Sequence, residues 1–152
     1  MKPKIYITRM LPRAGLDLLA EEYEVEVNPH DRVATREELA AGIKGKDALL
    51  SLLTDRGDAE GMDAEPRLKV IANYAVGFNN IDVAAATERG ILVTNTPGVL
   101  TETTADLAFA LLMACARRVV EADGFMRAGK YEGWGPMLFL GRDIHGKTLG
   151  IV

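Results

Sequence analysis

The residues with types and spacing suited to chemistry concentrate in one run, Asn73-Tyr74-Ala75-Val76-Gly77-Phe78-Asn79-Asn80-Ile81-Asp82. It joins an apolar segment of strand character, Leu68-Lys69-Val70-Ile71-Ala72-Asn73, to Asp82, a residue suited to cap the helix that follows. In open α/β sheets, ligands bind outside the carboxyl ends of the strands. Gly77 permits a turn that points successive peptide N–H groups outward, and a helix start adds partial positive charge. Such a loop can take a small carboxylate on main-chain donors alone. It can equally be a plain strand-to-helix turn in which Gly77 serves only the bend. The residues by themselves leave both open.

Other chemistries find less support. His30 and His145 are the only histidines, lie far apart and show no metal-ligand spacing, so no metal is expected. Cys115 sits within an apolar helical stretch and reads as an inert core thiol rather than a nucleophile. No Gly-x-Gly-x-x-Gly run occurs: Gly133-Trp134-Gly135-Pro136-Met137-Leu138 lacks the third glycine and follows no strand. Gly146-Lys147-Thr148 precedes a strand-like run instead of the helix that a phosphate loop needs. A flavin reading fails similarly, since Arg9-Met10-Leu11-Pro12 stands where a Ser/Thr-rich phosphate loop would be needed.

The elements that must position the loop are written in the hydrophobic pattern. Strands are expected at Lys4–Thr8, Tyr23–Val27, Ala48–Leu53, Leu68–Asn73 and Ile91–Asn95, separated by helical segments. The second alternates with period 2, as an edge strand does. Thr35 and Glu38 form a capping-box pattern opening a helix over Arg36–Ile43, and Gly90 stops the helix that Asp82 caps. Five strands with intervening helices predict a right-handed α/β stack: a flavodoxin-like five-stranded parallel sheet with helices on both faces.

Beyond Thr96-Pro97-Gly98 the texture changes. A single helix is expected from Thr101 to about Ala122, apolar on nearly all sides, and hence buried against another domain or another chain. Gly124–Gly146 holds six of the chain's fifteen glycines, with Trp134, Met137, Leu138, Phe139 and Leu140 among them. Lys147–Val152 reads as a buried strand with no partner, as though a second domain should begin there. The divisions expected are thus 1–99, 100–146 and 147–152.

Composition narrows the partners. The 152 residues carry 18 Lys+Arg against 22 Asp+Glu, a formal charge of −4, which offers no broad cationic face for nucleic acid or anionic lipid. A lone cysteine and no signal-like N-terminal apolar run fit a soluble protein of the reducing cytoplasm.

Three segments in order resemble the D-isomer-specific 2-hydroxyacid dehydrogenases: Asn73–Asp82, then Arg89-Gly90-Ile91-Leu92-Val93-Thr94-Asn95-Thr96-Pro97, then Thr103-Thr104-Ala105-Asp106-Leu107-Ala108 through Arg117-Arg118. The Trp134-Gly135-Pro136 and Gly146–Val152 segments are similar too, and the likeness leans toward the glyoxylate/hydroxypyruvate reductase branch, archaeal-type glyoxylate reductase in particular. The resemblance implies a substrate domain built on the first hundred residues. A Rossmann domain would start at Lys147–Val152, with the rest of it absent from this chain. It implies that the peptide N–H groups of Val76 and Gly77 bind the substrate carboxylate, with Leu53 and Leu100 lining the pocket. Thr104 would approach an NAD or NADP cofactor, and Trp134 would reach into the neighbouring subunit's site. The helix from Thr101 and the Trp134 arm would form a homodimer.

By the same resemblance the reaction is hydride transfer between a nicotinamide and a small 2-oxo or 2-hydroxy acid, with His, Glu and Arg supplied by the second domain. No catalytic residue is therefore assigned within these residues, and the chain is expected to be inactive alone and poorly stable. The alternative is a non-catalytic, dimerising module that binds small carboxylates.

Overall fold

Five apolar runs become five parallel strands because a helix carries the chain back over the sheet between each strand and the next. The strands are β1 (Lys4–Ile7), β2 (Glu24–Val27), β3 (Ala48–Leu52), β4 (Val70–Tyr74) and β5 (Leu92–Thr94). Between them run α1 (Arg13–Glu22), α2 (Arg36–Ile43), α3 (Ala59–Asp63) and α4 (Val83–Glu88). The order across the sheet is β2-β1-β3-β4-β5, the flavodoxin-like winding, with the period-2 strand at one edge as expected. The computed structural model describes residues 1–151, in two units, Met1–Val99 and Leu100–Val152.

Local chemistry fixes the helix starts. The Thr35 hydroxyl accepts from Glu38 N–H (3.3 Å) while the Glu38 carboxylate accepts from Thr35 N–H (2.8 Å), a reciprocal capping box. Asp58 accepts from Gly61 N–H and Asp82 from Ala85 N–H, opening α3 and α4. Gly90 closes α4 in the left-handed conformation, at φ +68°.

Strand register sorts the side chains by face. Tyr6, Leu49, Ile71 and Val93 align on one face, where Leu39 and Ile43 of α2, Met62 of α3 and Ala85 and Ala86 of α4 pack against them. The opposite rows are Ile5–Ala48–Val70–Leu92 and Ile7–Leu50–Ala72–Thr94. Ile5 and Ile7 are buried there, yet Leu92 is 67% exposed. The expectation of helices on both faces is thus corrected in degree. Three helices cover one face, while α1, which has no fully buried residue and packs beside β2, leaves the β5 side of the other face bare. The reason is topological, since the chain leaves the sheet after β5 without crossing back inside this unit.

The second unit differs from expectation in two places. The single helix Thr101–Ala122 is instead two, α5 (Thr101–Ala116) and α6 (Val119–Arg127), with Arg118 between them in the left-handed region at φ 55°. The Ala116 carbonyl accepts from Arg142 N–H at 2.7 Å, so it is not free to continue the helical ladder. The glycine-rich segment returns onto this break. A Cβ on Gly141 would stand 2.6 Å from the Ala116 oxygen, and the Arg118 guanidinium lies 5.1 Å from the centre of the Phe139 ring. Lys147–Ile151, expected as a strand, has no regular secondary structure, because no strand is described in this unit to pair with it. Val152, the last residue of that expected strand, lies outside the described residues. Among the described residues, no helix is long and apolar enough to cross a membrane.

Candidate functional site

The loops that matter leave the carboxyl ends of β3 and β4, which are level because Leu52 pairs with Tyr74. Leu53 is the first residue past β3 and is 66% exposed. It lines a cleft of about 460 Å³ together with Asp55, Arg56, Asn79, Asn80 and Asp82. Val76 and Gly77 follow β4 at the same edge, both exposed, outside that cleft.

Beneath these loops runs a row of buried polar residues that would destabilise the sheet edge if left unpaired. Asn73, at the end of β4, is buried, and its side chain is fully engaged. Its Oδ1 accepts from the Ser51 hydroxyl at 3.0 Å, and its Nδ2 donates to the Gly77 carbonyl (3.0 Å) and to Asn80 Oδ1 (2.9 Å). Asn80 Nδ2 reaches the Leu52 and Asp55 carbonyls at 3.2 and 2.9 Å, tying the β4 loop to the β3 loop. Asp55, also buried, accepts from Leu52 N–H at 2.8 Å and from the Thr8 hydroxyl, while Asn28 donates to the Thr8 carbonyl. Among the described residues no buried side-chain polar atom lacks a partner.

The carbonyls of Ala75, Val76 and Gly77 are occupied, and the Ala75 N–H donates to the Asn73 carbonyl at 2.8 Å. The Ala75 oxygen accepts from both the N–H and the hydroxyl of Thr96, at 2.9 and 3.1 Å. The Val76 oxygen accepts from Asn95 Nδ2 at 2.7 Å. The N–H groups of Val76 and Gly77 have no acceptor among the described residues. Two neighbouring main-chain donors without acceptors, on an exposed loop, are available to an anion.

Two reasons offered by the sequence for this loop need correction. Gly77 is not in the left-handed region, and a Cβ there would meet only Asn79 Oδ1, at 3.1 Å, so the bend does not demand a glycine conformation. Nor does α4 lend a free helix start, for it is six residues long and its first turn is capped by Asp82. The donors belong to the loop itself.

The other expected site residues lie in the second unit. Leu100 caps α5 and Thr104 stands one turn on, its N–H donating to the Leu100 carbonyl at 2.9 Å. Trp134 follows α6 in the glycine-rich segment and is 83% exposed. Neither Gly133-Trp134-Gly135 nor Gly146-Lys147-Thr148 forms a turn from a strand into a helix. Cys115, expected in a core, is exposed, because α5 has no fully buried residue.

Sequence reasoning missed Asn73, Asn80, Asn95 and Thr96 as builders of the loop. Only Asn73 carried a signal, a polar residue following the apolar run Val70-Ile71-Ala72.

The catalytic-domain profile of the D-isomer specific 2-hydroxyacid dehydrogenases matches residues 5–130. The chain is 52% identical to a glyoxylate reductase of Thermococcus gammatolerans, covering 100% of this chain and 47% of that protein. It is 54% identical to one of Korarchaeum cryptofilum, covering 46% of it. The chain therefore spans about half the length of the curated relatives it matches. Among solved structures, the TT0316 protein of Thermus thermophilus superposes with a TM-score of 0.84 at 49% identity, over 92% of this chain and 45% of that one. An NADPH-dependent glyoxylate/hydroxypyruvate reductase of Sinorhizobium meliloti, in complex with NADP and malonate, does so at 0.77 and 31% identity, over 97% and 45%. Sheet order, loop and sequence agree: the chain belongs to the D-isomer specific 2-hydroxyacid dehydrogenase family.

Proposed function

We propose that this chain supplies the substrate-binding half of an NAD(P)-dependent oxidoreductase that reduces glyoxylate- or hydroxypyruvate-type 2-oxo acids by hydride transfer. The observation that carries the reading is the pair of acceptor-free N–H groups at Val76 and Gly77, at the sheet edge where α/β folds bind ligands. Their role is to bind and orient the substrate carboxylate, which needs no titratable side chain and so works at any pH where the acid is ionised. Relatives named glyoxylate reductase, and a neighbour holding the dicarboxylate malonate, support the same ligand class.

Leu53 is the apolar residue of the first unit that would line the substrate, and Leu100 and Thr104 take the pocket-lining and nicotinamide-facing roles that the family resemblance implies. The reduced cofactor, NADH or NADPH, would supply the hydride when bound. These residues offer no strand–glycine turn–helix for its pyrophosphate and no histidine suited to deliver a proton at the site. The 152 residues by themselves are accordingly inactive. The second unit is a homodimer surface: Leu107, Phe109, Leu111, Val120 and Trp134 are each more than half exposed. Trp134 reaches the partner's site. Lys147 onward is the entry to the dinucleotide domain.

A residue-resolved amide NMR titration with glyoxylate tests the reading. Saturable shifts at Val76 and Gly77 are expected. Shifts confined to other parts of the chain, or none at millimolar ligand, would overturn it.

A further inference from the structure

A trans peptide points its C=O and its N–H in opposite directions, and the described residues contain no cis bond. Fixing one carbonyl therefore fixes the direction of the next residue's N–H. Thr96 holds the Ala75 carbonyl through two bonds, which sets the Val76 N–H. Asn95 holds the Val76 carbonyl, which sets the Gly77 N–H. Asn73 holds the Gly77 carbonyl from below. Three successive peptide planes are thus tied from the side away from their donors.

We infer that Asn95 and Thr96, the two residues just past β5, are positioning residues for the anion cradle, with Asn73 completing the hold. The inference rests on the carboxylate reading above and adds to it the cause of the cradle's orientation. Without the Asn95 amide the Val76–Gly77 peptide is free to rotate. In the flipped state it turns a carbonyl dipole, instead of an N–H, toward the carboxylate. The tied loop has lost that freedom before ligand arrives, so binding does not bear the cost of ordering it. Asn95 is half-buried and is not one of the residues that make up the packed core, so altering it removes no core side chain.

The test is the glyoxylate titration repeated on Asn95→Leu, Asn95→Gln and Thr96→Val, with thermal unfolding measured alongside. Asn95→Leu, which keeps the bulk and loses the donor, is expected to weaken glyoxylate about tenfold. Its free-state Gly77 amide signal should move, and its unfolding midpoint should stay near that of the parent. Asn95→Gln, which keeps the amide, is expected to recover most of the affinity. Thr96→Val retains the main-chain bond and loses only the hydroxyl's, so a smaller loss of about threefold is expected. Parental affinity in Asn95→Leu, or losses of equal size in the Leu and Gln variants, would overturn the positioning role while leaving the carboxylate reading intact. No glyoxylate response at Val76 and Gly77 in the parent chain would overturn both. If Asn95→Leu fails to fold, Thr96→Val decides, unchanged affinity counting against the inference.

Discussion

At the scale of single residues, the Val76–Gly77 loop and the sheet edge beneath it are held by buried and half-buried polar side chains. Asp55 shows the energetics most plainly. It is 6% exposed and accepts from Thr8 on β1's loop and from Leu52 N–H at the end of β3. Asp55→Ala leaves two donors at the sheet's carboxyl edge without their acceptor and should cost about 2 kcal/mol in urea unfolding. An unchanged midpoint would mean that water replaces the carboxylate at no cost. The sequence showed the loop around Gly77 and its place after a strand, but the pairs that hold it were illegible. Asn73 with Ser51, Asn95 with Val76 and Thr96 with Ala75 are contacts between separate strands and loops, and no local pattern encodes them. The roles given to Val76, Leu53 and Thr104 came from resemblance, since an exposed valine or leucine carries no chemical signature of its own.

At the scale of elements, local rules read well wherever neighbours in sequence supply the forces. The α2 span, its Thr35–Glu38 box and the Asp82 cap of α4 all match expectation, because each is a bond between residues three apart. Thr35→Ala should cost about 1 kcal/mol by chemical denaturation. Glu38 adds a pH dependence. Its hydrogen bond from Arg32, and then that from Thr35 N–H, holds its carboxyl down to about 2, against an ordinary value near 4.5. The folded-state value lies below the unfolded one, so the contribution is complete above about 4.5 and is lost as pH falls toward 2. Helix content of α2 should fray across that window, and Arg32→Ala should move the fraying to higher pH. A pH-independent α2 signal between these values would contradict the assignment. The break between α5 and α6 was not legible, because the Ala116 carbonyl is claimed by Arg142 from a distant loop. An apolar run from Leu107 onward, read alone, simply continues as helix.

At the scale of the whole chain, hydrophobic pattern reached the five-stranded parallel sheet, and the resemblance of three motifs reached the family. A face with Leu92 two-thirds exposed, and a second unit rich in exposed Leu, Phe, Val and Trp, bury little of what they were composed to bury. The dimer reading assigns part of this surface. Sedimentation at micromolar concentration should show self-association. Leu111→Asp, at a position 56% exposed on α5, should shift it toward monomer with little change in the folding of the first unit. A monomer at that concentration, or an unaltered profile in the variant, would contradict the assignment.

On the proposed reading, carboxylate capture resides in the Val76–Gly77 loop and does not depend on dinucleotide. The decisive measurement is calorimetric titration of glyoxylate into the chain, with and without millimolar NADPH in the cell. A weak saturable heat of the same affinity in both cells is predicted. No saturable heat, or an affinity that emerges only with NADPH present, would contradict it.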